Sequence, residues 1–240
     1  RGDVMKGAVE QIAAAAHSSE IRPEISGVLF DYQLTLFKTV ATDTFRLGEK
    51  TVSEPHFKGT FENGFRAIIP IHAAHELLRI FPDEETLRVF FDPNQVLFEN
   101  IDTQLISRLI DGEYPDYEAI IPSQNKTTLV LERERFIAAL RLVSSFSGKI
   151  SEVKFKLRDG KTLEIYSASQ YIGENNYLLP TKSSGAKLDE ITFNWRYLLD
   201  GLKSATGEQI QMGITDAAHP AILSSPDDNS YRYVLMPIKL

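Results

Sequence analysis

The chain has 240 residues, of which 42% are hydrophobic and 25% charged, and it contains no cysteine. This composition indicates one large or two ordinary globular domains, and it excludes disulfide bonds and thiolate metal sites. The formal net charge of −7 argues against a generic nucleic-acid binder with a basic surface. No apolar run is long enough to span a bilayer and no signal peptide opens the chain, so we expect a cytoplasmic protein. Because the sequence opens on Arg1 and at once becomes helical in pattern, we also expect it to be part of a longer polypeptide.

A pair of apolar residues followed by proline recurs four times along the chain. The copies are Ile68-Ile69-Pro70, Ile120-Ile121-Pro122, Leu178-Leu179-Pro180 and Leu235-Met236-Pro237. The prolines are separated by 52, 58 and 57 residues, which is the kind of period that indicates an internal structural repeat. Each copy predicts a strand that ends at its proline, because proline cannot donate a ladder hydrogen bond.

Between these prolines the same order of elements is predicted: one helix, then two or three strands. Apolar residues at helical spacing predict helices over 4–17, 71–81 and 132–146, and a fourth from Asn194 through Leu202. Predicted strand pairs join 27–30 with 34–37, 87–91 with 95–98, 153–157 with 162–166 and 209–214 with 221–224. Asp159-Gly160 indicates a type I′ hairpin turn between the strands of the third pair.

A longer period links the two halves of the chain. Val28 corresponds to Val153, Ile69 to Phe193 and Leu87 to Ile210, with offsets of 125, 124 and 123 residues. We therefore predict two homologous domains, 1–122 and 123–240, each built from two half-units of one helix and several antiparallel strands. The natural way to bury such faces is an α+β fold of stacked sheets with helices on one side.

The predicted helices carry more positive than negative charge. They hold seven Lys and Arg residues against five Asp and Glu residues, which leaves the rest of the chain more acidic than the whole. Such a distribution suits helices that face a polyanion, although solvated helix faces also mix both signs.

Few residues suggest catalysis or metal binding. Neither a Gly-rich phosphate loop nor a Gly-x-Ser-x-Gly elbow is present. His72 and His75 share a helix face beside Glu76 and have the spacing of a metal pair, but no third ligand is evident. Asp111, Glu113, Asp116 and Glu118 form an acidic cluster that could hold a hard cation, could belong to a shaped connector, or could supply the acid and base of a hydrolase through Asp111, Asp116 or Glu118.

Three collinear stretches resemble one family. VATDTFRL at residues 40–47, LIDGEYPDY at 109–117 and YVLMPIKL at 233–240 are similar to signatures of the bacterial sliding clamp, the β subunit of DNA polymerase III. The resemblance is to the second and third of the family's three domains. It implies the DNA-clamp (processivity) fold, a homodimeric ring around double-stranded DNA, and no catalysis, cofactor or metal. The expected partners are polymerase and clamp-loader subunits that bind through short linear motifs of the Gln-x-x-Leu-Phe kind.

The resemblance also implies a groove for partner peptides between the two domains. Its residues would be Ile25, Thr42, Thr44, Phe45, Arg46, Leu47, Pro115, Ile120, Asn194, Tyr197, Val234, Leu235, Met236, Pro237, Ile238, Lys239 and Leu240. Phe45 stands where relatives often have a small polar residue or His, and Ala119 where many have Arg, so partner affinities are expected to differ.

The expected phosphate contacts are Arg22, Arg133, Lys149 and Arg196. The family typically has Arg-Lys after the strand that ends at Pro70, whereas this chain has Ile71-His72. The loss of two cations predicts a weaker attraction to DNA.

Two alternatives stay open on the residues alone. A two-domain clamp of the trimeric archaeal or eukaryotic type has a matching length, but those clamps lack the tail and the Thr-Asp…Arg-Leu signature. A hydrolase that uses Asp111, Asp116 or Glu118 is the alternative from another class of protein.

Overall fold

The computed structural model describes residues 1–17, 19, 21–83 and 85–239. Contacts divide the chain into two compact units, 1–117 (unit 1) and 118–240 (unit 2). The division lies shortly before Pro122, at which the sequence predicts the domain boundary.

Unit 1 consists of two helices and two antiparallel sheets. Its elements are α1 (Gly2–Ala13), β1 (Gly27–Gln33), β2 (Leu36–Thr42), β3 (Arg46–Ser53), β4 (Phe65–Pro70), α2 (Ile71–Ile80), β5 (Arg88–Asp92), β6 (Gln95–Glu99) and β7 (Gln104–Arg108). One sheet has the order β4-β1-β2-β3 and the other the order β5-β6-β7. A 3-10 helix, Pro23–Ile25, precedes β1.

Helix α1 lies closely on the first sheet of unit 1 because the facing strand carries a glycine. An ideal Cβ at Gly48 of β3 would be 3.1 Å from the Cα of Ile12. The Thr39 hydroxyl on β2 donates to the Ala8 carbonyl at 2.6 Å, so the buried threonine is satisfied by the helix. Val9 and Ile12 are fully buried on the same helix face.

Unit 2 repeats this plan with more strands. Its elements are β8 (Thr127–Glu132), α3 (Arg133–Ser144), β9 (Glu152–Arg158), β10 (Thr162–Ser169), β11 (Gly173–Pro180), β12 (Lys182–Gly185), β13 (Ile191–Asn194), α4 (Trp195–Ser204), β14 (Gln209–Ile214), β15 (Ala221–Ser225) and β16 (Asp228–Leu235). The strand orders are β12-β8-β14-β15-β16 and β11-β10-β9-β13. Helices α3 and α4 contact each other, as α1 and α2 do in unit 1.

The structure confirms the α+β class and the predicted internal repeat. Val28 pairs with Ile69 across β1 and β4, and Val153 pairs with Phe193 across β9 and β13. These are the residues that the sequence offsets equate. Asp159 (φ 47°) and Gly160 (φ 69°) both have the positive φ that a type I′ turn requires.

Three local predictions are wrong. Helix α1 ends at Ala13 rather than at His17, because the amides of Ala15 and Ala16 bond to carbonyls three residues back and tighten the chain into turns. Leu34 does not start a strand: its φ of 63° places it in the turn between β1 and β2. Ile120 closes a 3-10 helix, Glu118–Ile120, instead of a strand.

The predicted strand at the end of the chain is shifted. Strand β16 ends at Leu235, two residues before Pro237, at which the repeat predicts its end. Among the described residues, no helix is long and apolar enough to cross a membrane.

Candidate functional site

The signature VATDTFRL forms the turn between β2 and β3, and its polar residues build that turn. The Asp43 carboxylate accepts from the amides of Phe45 and Arg46, both at 3.0 Å, and pairs with the Arg46 guanidinium at 2.9 Å. The Thr42 hydroxyl donates to the Arg46 carbonyl at 2.7 Å. Thr44 takes a positive φ of 76° at the tip of this turn. The turn is thus held in one conformation that presents Phe45, whose side chain is 57% exposed.

The other expected peptide contacts of unit 1 differ in accessibility. Ile25 and Leu47 are buried, and Pro115 is half-buried. Their apolar side chains therefore support the turn and the connector, and Thr44 and Phe45 are the members best exposed to a ligand.

In unit 2 the expected contacts gather around the start of α4. The Asn194 side chain accepts from the Arg196 amide at 2.9 Å and so caps this helix. The Tyr233 hydroxyl donates to the Tyr197 carbonyl at 2.9 Å. Tyr233 also packs on Gly201, where an ideal Cβ would lie only 2.5 Å from its ring.

The tail that follows β16 is fixed to β13 through the backbone. The Ile238 amide donates to the Thr192 carbonyl at 2.8 Å. Val234, Leu235 and Pro237 are buried, whereas Met236 and Ile238 are half-buried and Lys239 is exposed. Leu240, also expected to contact peptides, lies outside the described residues. Ile120, in the 3-10 helix at the start of unit 2, is 48% exposed.

Two of the expected phosphate contacts share one region of unit 2. Arg196 stacks over the Trp195 ring at 4.6 Å and donates from Nε to the Ser151 hydroxyl at 3.1 Å. Lys149 is exposed in the loop 145–151, which leads from α3 to β9 and contains Ser151. The Trp195 indole donates to Ser147 of this loop at 3.0 Å. Sequence reasoning missed these two serines, although the serine-rich run after α3 was a visible signal.

The other two expected phosphate contacts differ from this pair. Arg22 is exposed and forms an ion pair with Glu24 at 3.0 Å. Arg133 is turned toward the protein: it donates to the carbonyls of Leu202 and Ala205 at 3.3 and 2.9 Å, at the end of α4. The prediction that Arg133 contacts phosphate is therefore not supported, because its guanidinium caps the carbonyl end of a helix.

Neither candidate for metal or acid–base chemistry forms a cluster. Within the described ranges, no group of three His, Cys, Asp or Glu residues could hold a metal ion. Glu76, beside His72 and His75, is paired with Arg79 at 2.5 Å. Asp111, Asp116 and Glu118 are all exposed, so none has the burial that would adapt a carboxyl group to acid catalysis.

Two repeated units of helices packed on antiparallel sheets define the chain as a protein of the DNA-clamp fold. The family model for the DNA polymerase III beta subunit, central domain, matches residues 1–116, and the model for its C-terminal domain matches residues 118–239. The chain belongs to this family, the β sliding clamps.

Curated relatives and solved structures agree with this assignment. The beta sliding clamp of Bacillus subtilis is 28% identical over 99% of this chain, and that of Chlamydia muridarum is 30% identical over 98%. The crystal structure of the Bacillus subtilis clamp has a TM-score of 0.93 at 27% identity and covers 100% of this chain. A clamp from Pseudomonas aeruginosa has a TM-score of 0.94 at 22% identity, which shows the common fold. The chain spans 63% of the length of both curated relatives.

Proposed function

We propose that this chain acts in DNA replication as the peptide-binding portion of a sliding clamp, which encircles duplex DNA in the cytoplasm and tethers the polymerase without catalysing a reaction. The observation that carries the proposal is that both units match, in order, the central and C-terminal domains of the β subunit. In the homodimeric ring of a full-length clamp, the protein supplies topology and binding surfaces rather than chemistry.

We assign partner-peptide binding to two sets of residues, one in each unit. The set in unit 1 is Thr44 and Phe45 of the turn, and the set in unit 2 is the half-buried Met236 and Ile238 of the tail. The tail suits this role because a backbone hydrogen bond, from the Ile238 amide to the Thr192 carbonyl, holds it against β13 and next to exposed Lys239. Apolar side chains on a preorganised backbone are what short peptide motifs bind.

The test is a titration of a fluorescent Gln-x-x-Leu-Phe peptide, followed by anisotropy. We expect micromolar affinity, and we expect Met236→Ala to weaken it about tenfold, because truncation of one well-packed anchor typically removes over 1 kcal/mol of binding energy. Met5→Ala, on helix α1, is the matched control and should leave the affinity unchanged. An absence of binding, or an equal loss in both variants, would refute the peptide surface.

Whether one peptide contacts both sets of residues is measured by a double-mutant cycle of Phe45→Ala with Met236→Ala. A coupling energy above about 0.5 kcal/mol would mean that the two changes affect one bound ligand. Additive losses would mean separate sites.

Ring assembly requires a surface that pairs with another chain, and unit 2 has a suitable one. Strand β11 is an edge of its sheet, and exposed apolar residues flank or lie on it: Tyr171 (94% exposed), Ile172 (59%) and Leu178 (52%). An edge strand with exposed apolar residues beside it is a template for pairing with a second chain. We assign this edge to the homodimer contact.

The trimeric archaeal or eukaryotic type of clamp is not the family that the chain matches. A hydrolase is also disfavoured, because Asp111, Asp116 and Glu118 are all exposed and lack the burial that adapts a carboxyl group to acid catalysis.

A further inference from the structure

Unit 1 contains a cavity of about 460 Å³ that the expected peptide contacts do not line. It lies among β1, β4, the turn between β5 and β6, and the segment 109–114 that follows β7. Its volume falls within the range of small-ligand and peptide pockets. Half-buried Leu109 and Ile110 and exposed Pro93 give it accessible apolar walls, and Arg66, Asp111 and Glu113 add charge.

Backbone groups of an edge strand face this cavity. The Ile110 amide donates to the Ile68 carbonyl at 2.8 Å, so the peptide groups of Ile68 point away from β1. Along an antiparallel strand the peptide groups of alternate residues point the same way, so those of Arg66 also face outward. The segment 109–114 bridges β4 only at Ile68. The amide and carbonyl of Arg66 are therefore available to pair with a further extended chain.

The repeat relates this arrangement to the tail of unit 2. Strand β4 pairs with β1 as β13 pairs with β9. In unit 1 the segment after the last strand bonds to β4 through Ile110, and in unit 2 the segment after the last strand bonds to β13 through Ile238, each at 2.8 Å. Ile68 and Thr192, which accept these bonds, differ by the 124 residues of the repeat. The cavity is thus the counterpart in unit 1 of the tail to which we assign peptide binding.

The residues that follow Ile110 in unit 1 and Ile238 in unit 2 carry charges of opposite sign. Ile238 is followed by Lys239, whereas Ile110 is followed by Asp111-Gly112-Glu113, whose two carboxylates are exposed. Arg66 does not cancel them, because its Nε is bound to the buried Asp31 carboxylate at 3.1 Å. Gly112 has a φ of 132°, which side chains rarely adopt, so the position of these carboxylates depends on glycine.

One buried polar group of the cavity lining also lacks a partner. Among the described residues, nothing bonds to the Tyr114 hydroxyl, although the residue is only 8% exposed. Burial raises the pKa of Tyr114, so the hydroxyl stays protonated and retains an unused donor. A buried polar group without a partner is rare in folded proteins unless water or a ligand satisfies it.

We propose that this cavity is a second peptide site, which binds a short extended segment carrying lysine or arginine. The segment pairs with the backbone of Arg66 on β4, its cationic side chain is held by Asp111 and Glu113, and its apolar side chains contact Leu109 and Ile110. The choice of a peptide as ligand rests on the proposed function of the tail, whereas the preference for positive charge rests on this cavity alone.

The probe is an N-acetylated, C-amidated pentapeptide that alternates leucine and lysine, with a leucine–glutamate peptide for comparison. We expect the lysine peptide to bind at submillimolar strength and the glutamate peptide to bind at least tenfold more weakly. Asp111→Asn with Glu113→Gln should weaken the lysine peptide about fivefold. The matched control, Glu62→Gln with Asp189→Asn, removes the same charge from exposed positions outside the cavity and should have no effect.

Amide chemical shifts locate the site and separate it from the tail. Binding of the lysine peptide should shift the amides of Arg66, Ile68 and Gly112, and Met236→Ala should not change its affinity. The Gln-x-x-Leu-Phe peptide should be sensitive to Met236→Ala and insensitive to the Asp111/Glu113 change. Shifts elsewhere, equal binding of the glutamate peptide, or an equal loss in the control would overturn the cavity site. Failure of the Gln-x-x-Leu-Phe peptide alone would count against the tail and leave the cavity site standing.

Discussion

Glu164 on β10 shows how single charged residues are accommodated on the sheet surface of unit 2. Its side chain is only 11% exposed and pairs with Arg158 in two-point contact at 2.6 and 2.8 Å. Asn176 on β11 donates to the same carboxylate at 3.2 Å. The Arg158 guanidinium, and then Asn176, hold the pKa of Glu164 below its usual value, against the opposing effect of burial. This carboxylate thus links three strands of one sheet.

We predict that Glu164→Gln lowers the free energy of unfolding by about 1 kcal/mol at neutral pH. This magnitude is that of a charge-assisted hydrogen bond, reduced because Arg158 is exposed to solvent. Because the folded pKa is the lower one, the contribution is complete above the usual glutamate value of about 4.5 and is lost as pH falls through the folded value. Urea unfolding at pH 7 and at pH 3.5 measures this. Glu190→Gln changes an exposed residue that pairs with half-buried Lys154, and it should change stability by less than about 0.5 kcal/mol. A loss for Glu164→Gln that does not shrink in acid would contradict the assignment.

The signature at 40–47 illustrates what the sequence could and could not predict at the scale of residues. The motif correctly marks a distinctive turn, but its letters do not say which residues build it and which face outward. Asp43 and Thr42 are used by the turn itself. The role of Arg133 at the end of α4 was not foreseen for a related reason. Its two carbonyl acceptors, Leu202 and Ala205, are distant in sequence and only the fold brings them near.

At the scale of elements, α4 and β16 pack closely because the helix has a glycine, and therefore no side chain, at the point of contact. Gly201 lies inside α4, and Tyr233 of β16 packs against its backbone. An added Cβ would be 2.5 Å from the ring, closer than real contacts allow. This contact fixes the strand from which the tail, to which we assign peptide binding, emerges.

We predict opposite effects for two helical Gly→Ala changes. Gly7→Ala in α1, where an ideal Cβ meets nothing within 4 Å, should stabilise the protein by about 0.5–1 kcal/mol, because alanine is the better helix former. Gly201→Ala should destabilise it by about 1–3 kcal/mol, because overpacking outweighs the gain in propensity. Far-UV circular dichroism during thermal unfolding measures both. A stabilised Gly201→Ala variant would show that Tyr233 can move aside.

The sequence predicted elements better than their ends. The repeat offsets correctly equated β1 with β9 and β4 with β13, because hydrophobic pattern sets register wherever one face is buried, whereas the pairing of β1 with β4 and of β9 with β13 was not predicted. The end of α1 and the 3-10 helix at Ile120 were missed, since both depend on backbone bonds to carbonyls three residues back. No local residue pattern distinguishes such turns from a continued helix or a strand.

Across the whole molecule, ion pairs with nearby carboxylates partly neutralise the small net positive charge of the helices. Lys6 pairs with Asp83, Arg79 with Glu76, and Arg135 with Glu132, at 2.5 to 2.6 Å. Arg133 caps α4. In the described part of the chain, the helix cations without an ion pair are Arg141, Arg196 and Lys203. With a net charge of −7, we expect the chain to attract DNA weakly and through a few sites.

The salt dependence of DNA binding tests this distribution. The plot of log affinity against log salt has a negative slope, and removal of one cation that displaces a counterion from a phosphate should reduce the magnitude of this slope by about 0.9. We predict this change for Lys149→Gln and for Arg196→Gln, measured by anisotropy of a labelled duplex between about 50 and 200 mM salt. Lys161→Gln, in the turn between β9 and β10, removes the same charge from a sheet and should leave the slope unchanged. Arg133→Gln should destabilise the fold without altering the slope. A slope change for Lys161 as large as that for Arg196 would mean that DNA is attracted by net charge rather than by the loop and helix that hold Lys149 and Arg196.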